Sequence, residues 1–295
     1  MFGAVTREAE EVGWSAFDRA FYEVKDPSGR AAEPHPDAVN TVSCFADNAA
    51  AASDPGLVPV DDEGRAADRD QPYFDWSFVC PTHEEYRAGV LEIVEDCAAV
   101  APDVRLDDVG FPREGYCRCD RCERRFAESG FEDRVAWRSS VVTEFVADAA
   151  ARVPGDCYLT VHPDPYPGHL ARRSGIDLDA VLDHVDEVVV PLYDTAYGTT
   201  YWLETIAKGF RTALAGGDPD GDPRVPLAVE LYAVDVDLDD LVRAAEVAEA
   251  YADDVFFGYD ANAASAAIRR IRADRREGVT HAPSDASGDD EGTDE

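Results

Sequence analysis

An α/β fold, a parallel sheet wrapped by helices, follows from three features of the chain. Several short segments are apolar on both faces: Cys157–His162 (CYLTVH), Glu187–Tyr193 (EVVVPLY), Val225–Tyr232 (VPLAVELY) and Asp254–Asp260 (DVFFGYD). That pattern suits strands buried on both sides. Amphipathic helical stretches alternate with them, at Asp177–Val185, Thr199–Ala213, Leu238–Tyr251 and Ala261–Arg272. The strand ends collect Asp, Glu, His and Tyr, as barrels do where they build sites. The expectation is a (β/α)8 barrel of the TIM type over residues 1–277, abbreviated at its N-terminus. Residues 278–295 are Ser, Gly, Asp and Glu with almost nothing to bury, and read as a disordered acidic tail.

In order along the chain, Thr6–Arg19 reads as a helix and Phe21–Val24 as a short strand. Lys25–Asp37 carries three prolines and is a loop. Val39–Phe45 (VNTVSCF) is a strand by its β-branched content. Asp47–Trp76 is long, polar and irregular, and a loop of that length is functional or disordered. Thr82 is placed to cap a helix running to Val100, with Glu85 completing a capping box. Val104–Val109 is the central strand and ends in Asp107 and Asp108. Helices follow at Cys119–Glu128 and Val135–Arg152. Six strands are secure, so a closed barrel needs two more from residues 1–38. Either the N-terminal units are short or the first strand is missing.

Composition narrows the function. Sixty-two Asp and Glu against 27 Lys and Arg leave a net charge of −35, and Lys25 and Lys208 are the only lysines. Such a field repels nucleic acid and anionic membranes, whose binding depends on clustered cations. The acidic, lysine-poor surface resembles that of salt-adapted haloarchaeal proteins. No apolar run approaches the roughly 18 residues that span a bilayer, and the N-terminal MFGAVTREAEEVGW lacks the apolar core of a signal peptide. Seven cysteines, three of them within Cys117–Cys122, argue for thiols or a metal site over disulfides, and so for a cytoplasmic protein.

Particular motifs now carry a resemblance. They are Trp76, Cys80-Pro81, Glu85-Tyr86-Arg87, Leu106-Asp107-Asp108-Val109-Gly110-Phe111-Pro112 and the Cys-rich loop Cys117–Phe126. In this order they resemble the (β/α)8-barrel hypothetical glycoside hydrolases of the family-10-like type. The likeness has motif detail over residues 39–126 and is only βα alternation beyond. It implies a barrel hydrolase acting on O-glycosidic bonds, with an oligosaccharide or glycoside as its partner and no organic cofactor. The family motif has an aromatic and an Arg where this chain has Asp108 and Gly110.

Asp107 matches the family's strand-end carboxylate. Glycosidic cleavage needs two carboxyl groups flanking the bond. Glu230 is the second candidate, because an acid inside an apolar strand is costly unless paired or functional. With Val39–Phe45 as strand three, these two sit on strands four and seven, where many barrel glycosidases place their acids. The alternatives are strand capping for Asp107 and an ion pair with an Arg for Glu230. Asp260 is a weaker third acid that serves equally as a helix cap. Asp108, Trp76, His162, Tyr193, Asp194 and Tyr232 point to the same mouth by topology, suited to binding hydroxyls and sugar faces. Cys117, Cys119 and Cys122 supply three ligands at metal spacing, where structural zinc takes four. Cys80 is the candidate fourth ligand and His83 the alternative, with free thiols sharing a loop as the plainer reading. Cys44, Cys97 and Cys157 belong to the core. A carbohydrate-binding barrel without catalysis is the competing function. An all-Cys site argues against catalytic zinc, which keeps an open position.

Overall fold

The computed structural model describes residues 1–279, and residues 280–295 of the expected acidic tail lie outside it. Eight parallel strands close on themselves: β1 (Phe2–Thr6), β2 (Arg19–Asp26), β4 (Val39–Ser43), β5 (Val104–Asp107), β6 (Cys157–Thr160), β7 (Glu187–Pro191), β8 (Leu227–Tyr232) and β9 (Asp254–Gly258). A two-residue strand, β3 (Gly29–Arg30), pairs antiparallel with the end of β2. The β1–β9 and β1–β2 ladders complete the circle. The structure is therefore the (β/α)8 barrel of the TIM type that the alternation predicts.

The N-terminus departs from expectation. Thr6–Arg19 is not an α-helix. Residues 2–6 form β1, and only a 3-10 turn at Ala9–Glu11 separates it from β2. Phe2, Ala4 and Val5 are buried, whereas Arg7–Glu10 are exposed, so burial overrides the local helical tendency. The short crossover is tied by Asp18, whose backbone N–H donates to the Phe2 carbonyl at 2.8 Å and whose carboxylate accepts from the Phe2 N–H. The first strand is present and its helix is what is abbreviated.

Nine α-helices occur among the described residues. After β4 come α1 (Asn48–Ser53), inside the supposed irregular loop, and α2 (Glu84–Val100), capped by His83 rather than Thr82. After β5 come α3 (Asp120–Glu128) and α4 (Arg134–Ala150). Two short helices, α5 (His169–Ser174) and α6 (Leu178–Val181), follow β6, with Asp177 capping the second. The remaining three, α7 (Tyr201–Leu214), α8 (Leu238–Glu249) and α9 (Ala261–Glu277), cover β7 to β9. No helix among the described residues is long and apolar enough to cross a membrane.

Strand parity divides the core in two. Outward side chains pack under the helices, with Cys44, Cys97 and Cys157 buried among them. Inside the barrel, Val5, Phe21, Val39, Tyr158, Val189, Ala228 and Phe256 form an apolar plug, one from each strand except β5. Burying a large apolar side chain completely contributes about 1.5–3 kcal/mol, so the plug alone is a substantial anchor. Strand β5 instead sends Arg105 inward, its guanidinium 5.4 Å above the Phe21 ring. Above that level the interior turns polar.

Candidate active site at the barrel mouth

The register of the strands fixes which side chains reach the C-terminal mouth. Thr41 pairs with Arg105 and Ser43 with Asp107 across β4 and β5, so all four point inward. By the same alternation Glu23 lies above Phe21, Thr160 above Tyr158 and Glu230 above Ala228. A cavity of about 1090 Å³ opens over this layer. Asp107 and Asp108 line it together with Trp76, Phe111, His162, Tyr193 and Tyr232.

Adjacent strand residues normally face opposite ways. Asp108 avoids this because its φ of 50° is left-handed, which turns the chain at the strand end. Its carboxylate thereby accepts from the inward Ser43 hydroxyl at 2.7 Å, while Asp107 accepts from the Asp108 N–H at 2.8 Å. Burial, and secondarily the charge of Asp107, push the Asp108 carboxyl up to about 7. The drier of the two acids is thus Asp108. Gly110 is required two residues on: its φ is 115°, and a Cβ there would lie 2.3 Å from the Ser174 carbonyl oxygen. This explains the glycine where the resembling family carries a side chain.

Glu230 lies one layer down and is fully buried. Its Oε2 pairs with Arg105 Nη1 at 2.6 Å, and its Oε1 accepts from the Tyr193 hydroxyl. The Arg105 guanidinium also faces Asp107, at 3.9 Å, and donates through Nε to Thr160 Oγ1 at 2.8 Å. Asp107 and Glu230 therefore approach the same guanidinium from two strands. Buried without partners, either charge would cost several kcal/mol; joined through Arg105 the set is tolerable. Both acids point into the barrel, but only Asp107 borders the cavity. Tyr193 covers Glu230, its ring exposed in the wall and its hydroxyl on the carboxylate; burial and that negative charge raise the phenol well above its ordinary range.

Other sequence candidates fall elsewhere. Asp194 is spent on the backbone N–H groups of Thr195 and Ala196, and Asp260 caps α9 through Ala263; neither lines the cavity. His162 does line it. Burial, with help from Arg173, lowers its imidazole to about 4, so it is neutral near pH 7. Glu23, Arg105 and Tyr259, which were not among the sequence candidates, also stand in the cavity wall. Glu23 is buried, paired with Arg7, and accepts from the Tyr259 hydroxyl at 3.1 Å; desolvation raises its carboxyl. Tyr193, Tyr232 and Tyr259 form a triangle with ring centroids 5.6, 6.2 and 6.4 Å apart. Parity would have found two of these: Arg105 stands two residues before Asp107, and Glu23 two after Phe21.

Beside the mouth, Cys80 from the loop before α2 meets Cys117, Cys119 and Cys122 from the loop into α3. Their sulfurs all lie within 4.8 Å of one another, with Cys80 and Cys122 at 3.4 Å. Four sulfurs at this separation, three of them buried, fit a tetrahedral thiolate-bound metal ion. His83 is not needed as a ligand: its ring caps α2 at Tyr86.

No family model matches the chain, and no curated protein matches it. Solved structures do resemble it. The glycoside hydrolase domain of PgaB (BpsB) from Bordetella bronchiseptica superposes with a TM-score of 0.60 at 14% identity, covering 81% of this chain and 74% of that one. Alpha-L-fucosidase isoenzyme 2 from Paenibacillus thiaminolyticus gives 0.65 at 12%, covering 94% and 49%. A polyextremophilic β-galactosidase from the Antarctic haloarchaeon Halorubrum lacusprofundi gives 0.60 at 13%, covering 92% and 58%. The chain thus spans about half the length of the fucosidase and somewhat more of the galactosidase. At these identities the likeness is one of fold, a barrel of the kind glycoside hydrolases use.

Proposed function

We propose that this chain hydrolyses an O-glycosidic bond of an oligosaccharide, with Asp107 and Glu230 as the carboxylate pair. The observation that carries the reading is their convergence on Arg105 beneath an aromatic-lined cavity. Asp107 donates the proton that the leaving oxygen takes as the glycosidic bond breaks, and its neighbour Asp108, which keeps one near neutral pH, resupplies it. The attacking water returns a proton to this pair. Glu230 is the nucleophile or base, oriented by Arg105 and Tyr193. The Tyr193 ring is the part of the wall that shifts for Glu230 to reach a sugar carbon. Trp76 and the tyrosine triangle offer faces for stacking, and His162 a neutral hydrogen-bonding ring. Cys80, Cys117, Cys119 and Cys122 would hold a structural zinc ion that ties two mouth loops together.

The test is turnover of a panel of oligosaccharides in molar salt, as the acidic surface suggests. Asp107→Asn and Glu230→Gln are expected to lower kcat by about three powers of ten or more. Full activity in both variants removes them from the mechanism. A second reading, glycan binding without cleavage, is favoured by the complete burial of Glu230 against Arg105. Saturable binding with no turnover in the wild type would select it.

A further inference from the structure

A second cavity, about 920 Å³, adjoins the first beyond β6, and His162, Pro163 and Arg173 line both. Its charge is opposite to that of the molecule. In a chain with 62 acids and two lysines, Lys208 and Arg173 stand in this wall. Its single acid, Asp164, is engaged by His169 at 3.0 Å. Among the described residues, Arg173 and Lys208 have no carboxylate within ion-pair distance. The acids of the main cavity sit on the other side, on β2, on the loop after β4 and at the end of β5.

The backbone that carries these two exposed cations is firmly placed. Arg138, buried in α4, donates to the Arg172 and Arg173 carbonyls at 2.7 and 2.9 Å and so fixes the end of α5. Across the cavity, α7 approaches the 163–167 loop so closely that a Cβ on Gly209 would lie 2.7 Å from Pro165. The charge of Arg113, whose own guanidinium stacks on Tyr73 at 4.7 Å, acts against that of Arg173, while Asp164 acts in its favour. An exposed guanidinium that is repelled by a neighbour, and whose one favourable acid, Asp164, is already engaged by His169, is relieved by an incoming anion. A planar carboxylate matches its fork with two parallel hydrogen bonds.

We propose that this second cavity is a subsite for a substrate carboxylate, bound by Arg173 with Lys208 in support, so that the glycan taken at the mouth carries a uronic acid. The reaction in this statement rests on the hydrolase reading above; the binding does not. The net charge of −35 would oppose an acidic glycan at low salt. In molar salt the Debye length shrinks to about 3 Å, so the long-range repulsion is screened while contact pairs persist.

The test is calorimetric binding, in molar salt, of oligogalacturonate and oligoglucuronate, each beside its methyl ester, followed by product analysis. The wild type should bind at least one free acid about ten-fold or more tighter than its ester. Arg173→Gln should weaken that acid by about 10- to 100-fold and bring the ratio toward one. Lys208→Gln should act in the same direction with a smaller change, and Arg173→Lys should restore part of the preference, which a purely structural role would not do. Equal binding of acid and ester, or no binding of either uronate, overturns the subsite. Tighter binding of a sulfated oligosaccharide than of both uronates overturns its assignment to a carboxylate. A uronate bound but never cleaved supports the subsite and defeats the hydrolase reading; neutral glycans cleaved with no preference for acid does the reverse.

Discussion

The two ends of the barrel are built from similar groups and end differently. At the N-terminal floor, Arg19 lies 3.7 Å from Glu187, Asp254 pairs with the chain's amino terminus at 2.8 Å, and Tyr158 accepts from Arg19. At the C-terminal mouth, Arg105 joins Glu230 and Asp107 above the same plug. Each end holds a carboxyl shifted toward neutrality: Glu187 to about 8, by burial and then by Asp254, and Asp108 to about 7. A perturbed acid therefore does not by itself mark a site in this molecule. The mouth is distinguished by a cavity with room for a ligand, aromatic faces, and left-handed residues, Asp108 and Tyr259, that aim side chains into it.

The sharpest contrast is predicted for the two arginines. Arg105→Met removes the partner of a fully buried Glu230 and should cost about 3–5 kcal/mol. Arg19 is partly exposed and its pairing is longer, so Arg19→Met should cost about 1 kcal/mol or less. Chemical denaturation of both variants checks this, and equal losses would erase the distinction between the ends.

A second effect is expected in the pH dependence of stability. Glu187 has a folded-state pKa raised above its unfolded value, so folded protein holds the extra proton. Stability is then fully retained below about pH 4.5 and falls as pH rises toward 8. Glu187→Gln should match the wild type in acid and exceed it by on the order of 1–3 kcal/mol at pH 9. Melting curves at the two pH values measure the difference. At the mouth, the parallel signature is in catalysis: if Asp108 keeps the proton, kcat/KM declines above about pH 7, and Asp108→Asn moves that limb.

The smallest structural effect concerns the cysteine cluster's reach. One zinc ion per chain is expected by elemental analysis, lost in Cys122→Ser, with the loops at Cys80 and Cys117 becoming protease-sensitive. Unchanged metal content in that variant would return the cluster to free thiols.

How much of this was legible in the sequence depends on parity and on distance. The strands after Val39 announce themselves because both faces are apolar, and that pattern needs no partner to be recognised. The first strand does not: FGAVT is short, and the acidic stretch after it imitates a helix until burial of Phe2 and Val5 decides otherwise. Asp107 and Glu230 were visible as acids out of place. That they meet was not, since Arg105 joins strands more than 120 residues apart in the chain. Asp108's inward turn was hidden as well, because it depends on a left-handed φ that no alternation pattern encodes. Asp194 and the weaker candidate acid Asp260 also stand at strand ends, but nearby backbone amides claim both, Asp260 in the helix-capping role that its position allowed.

One measurement separates the mouth from the floor most directly. Turnover of a cleavable oligosaccharide, in molar salt, is compared for the wild type, Asp107→Asn and Glu187→Gln, each confirmed folded by its melting curve. The account predicts that Asp107→Asn loses about three powers of ten in kcat while Glu187→Gln stays within about two-fold. Equal activities in the two variants would contradict the assignment of the chemistry to the mouth.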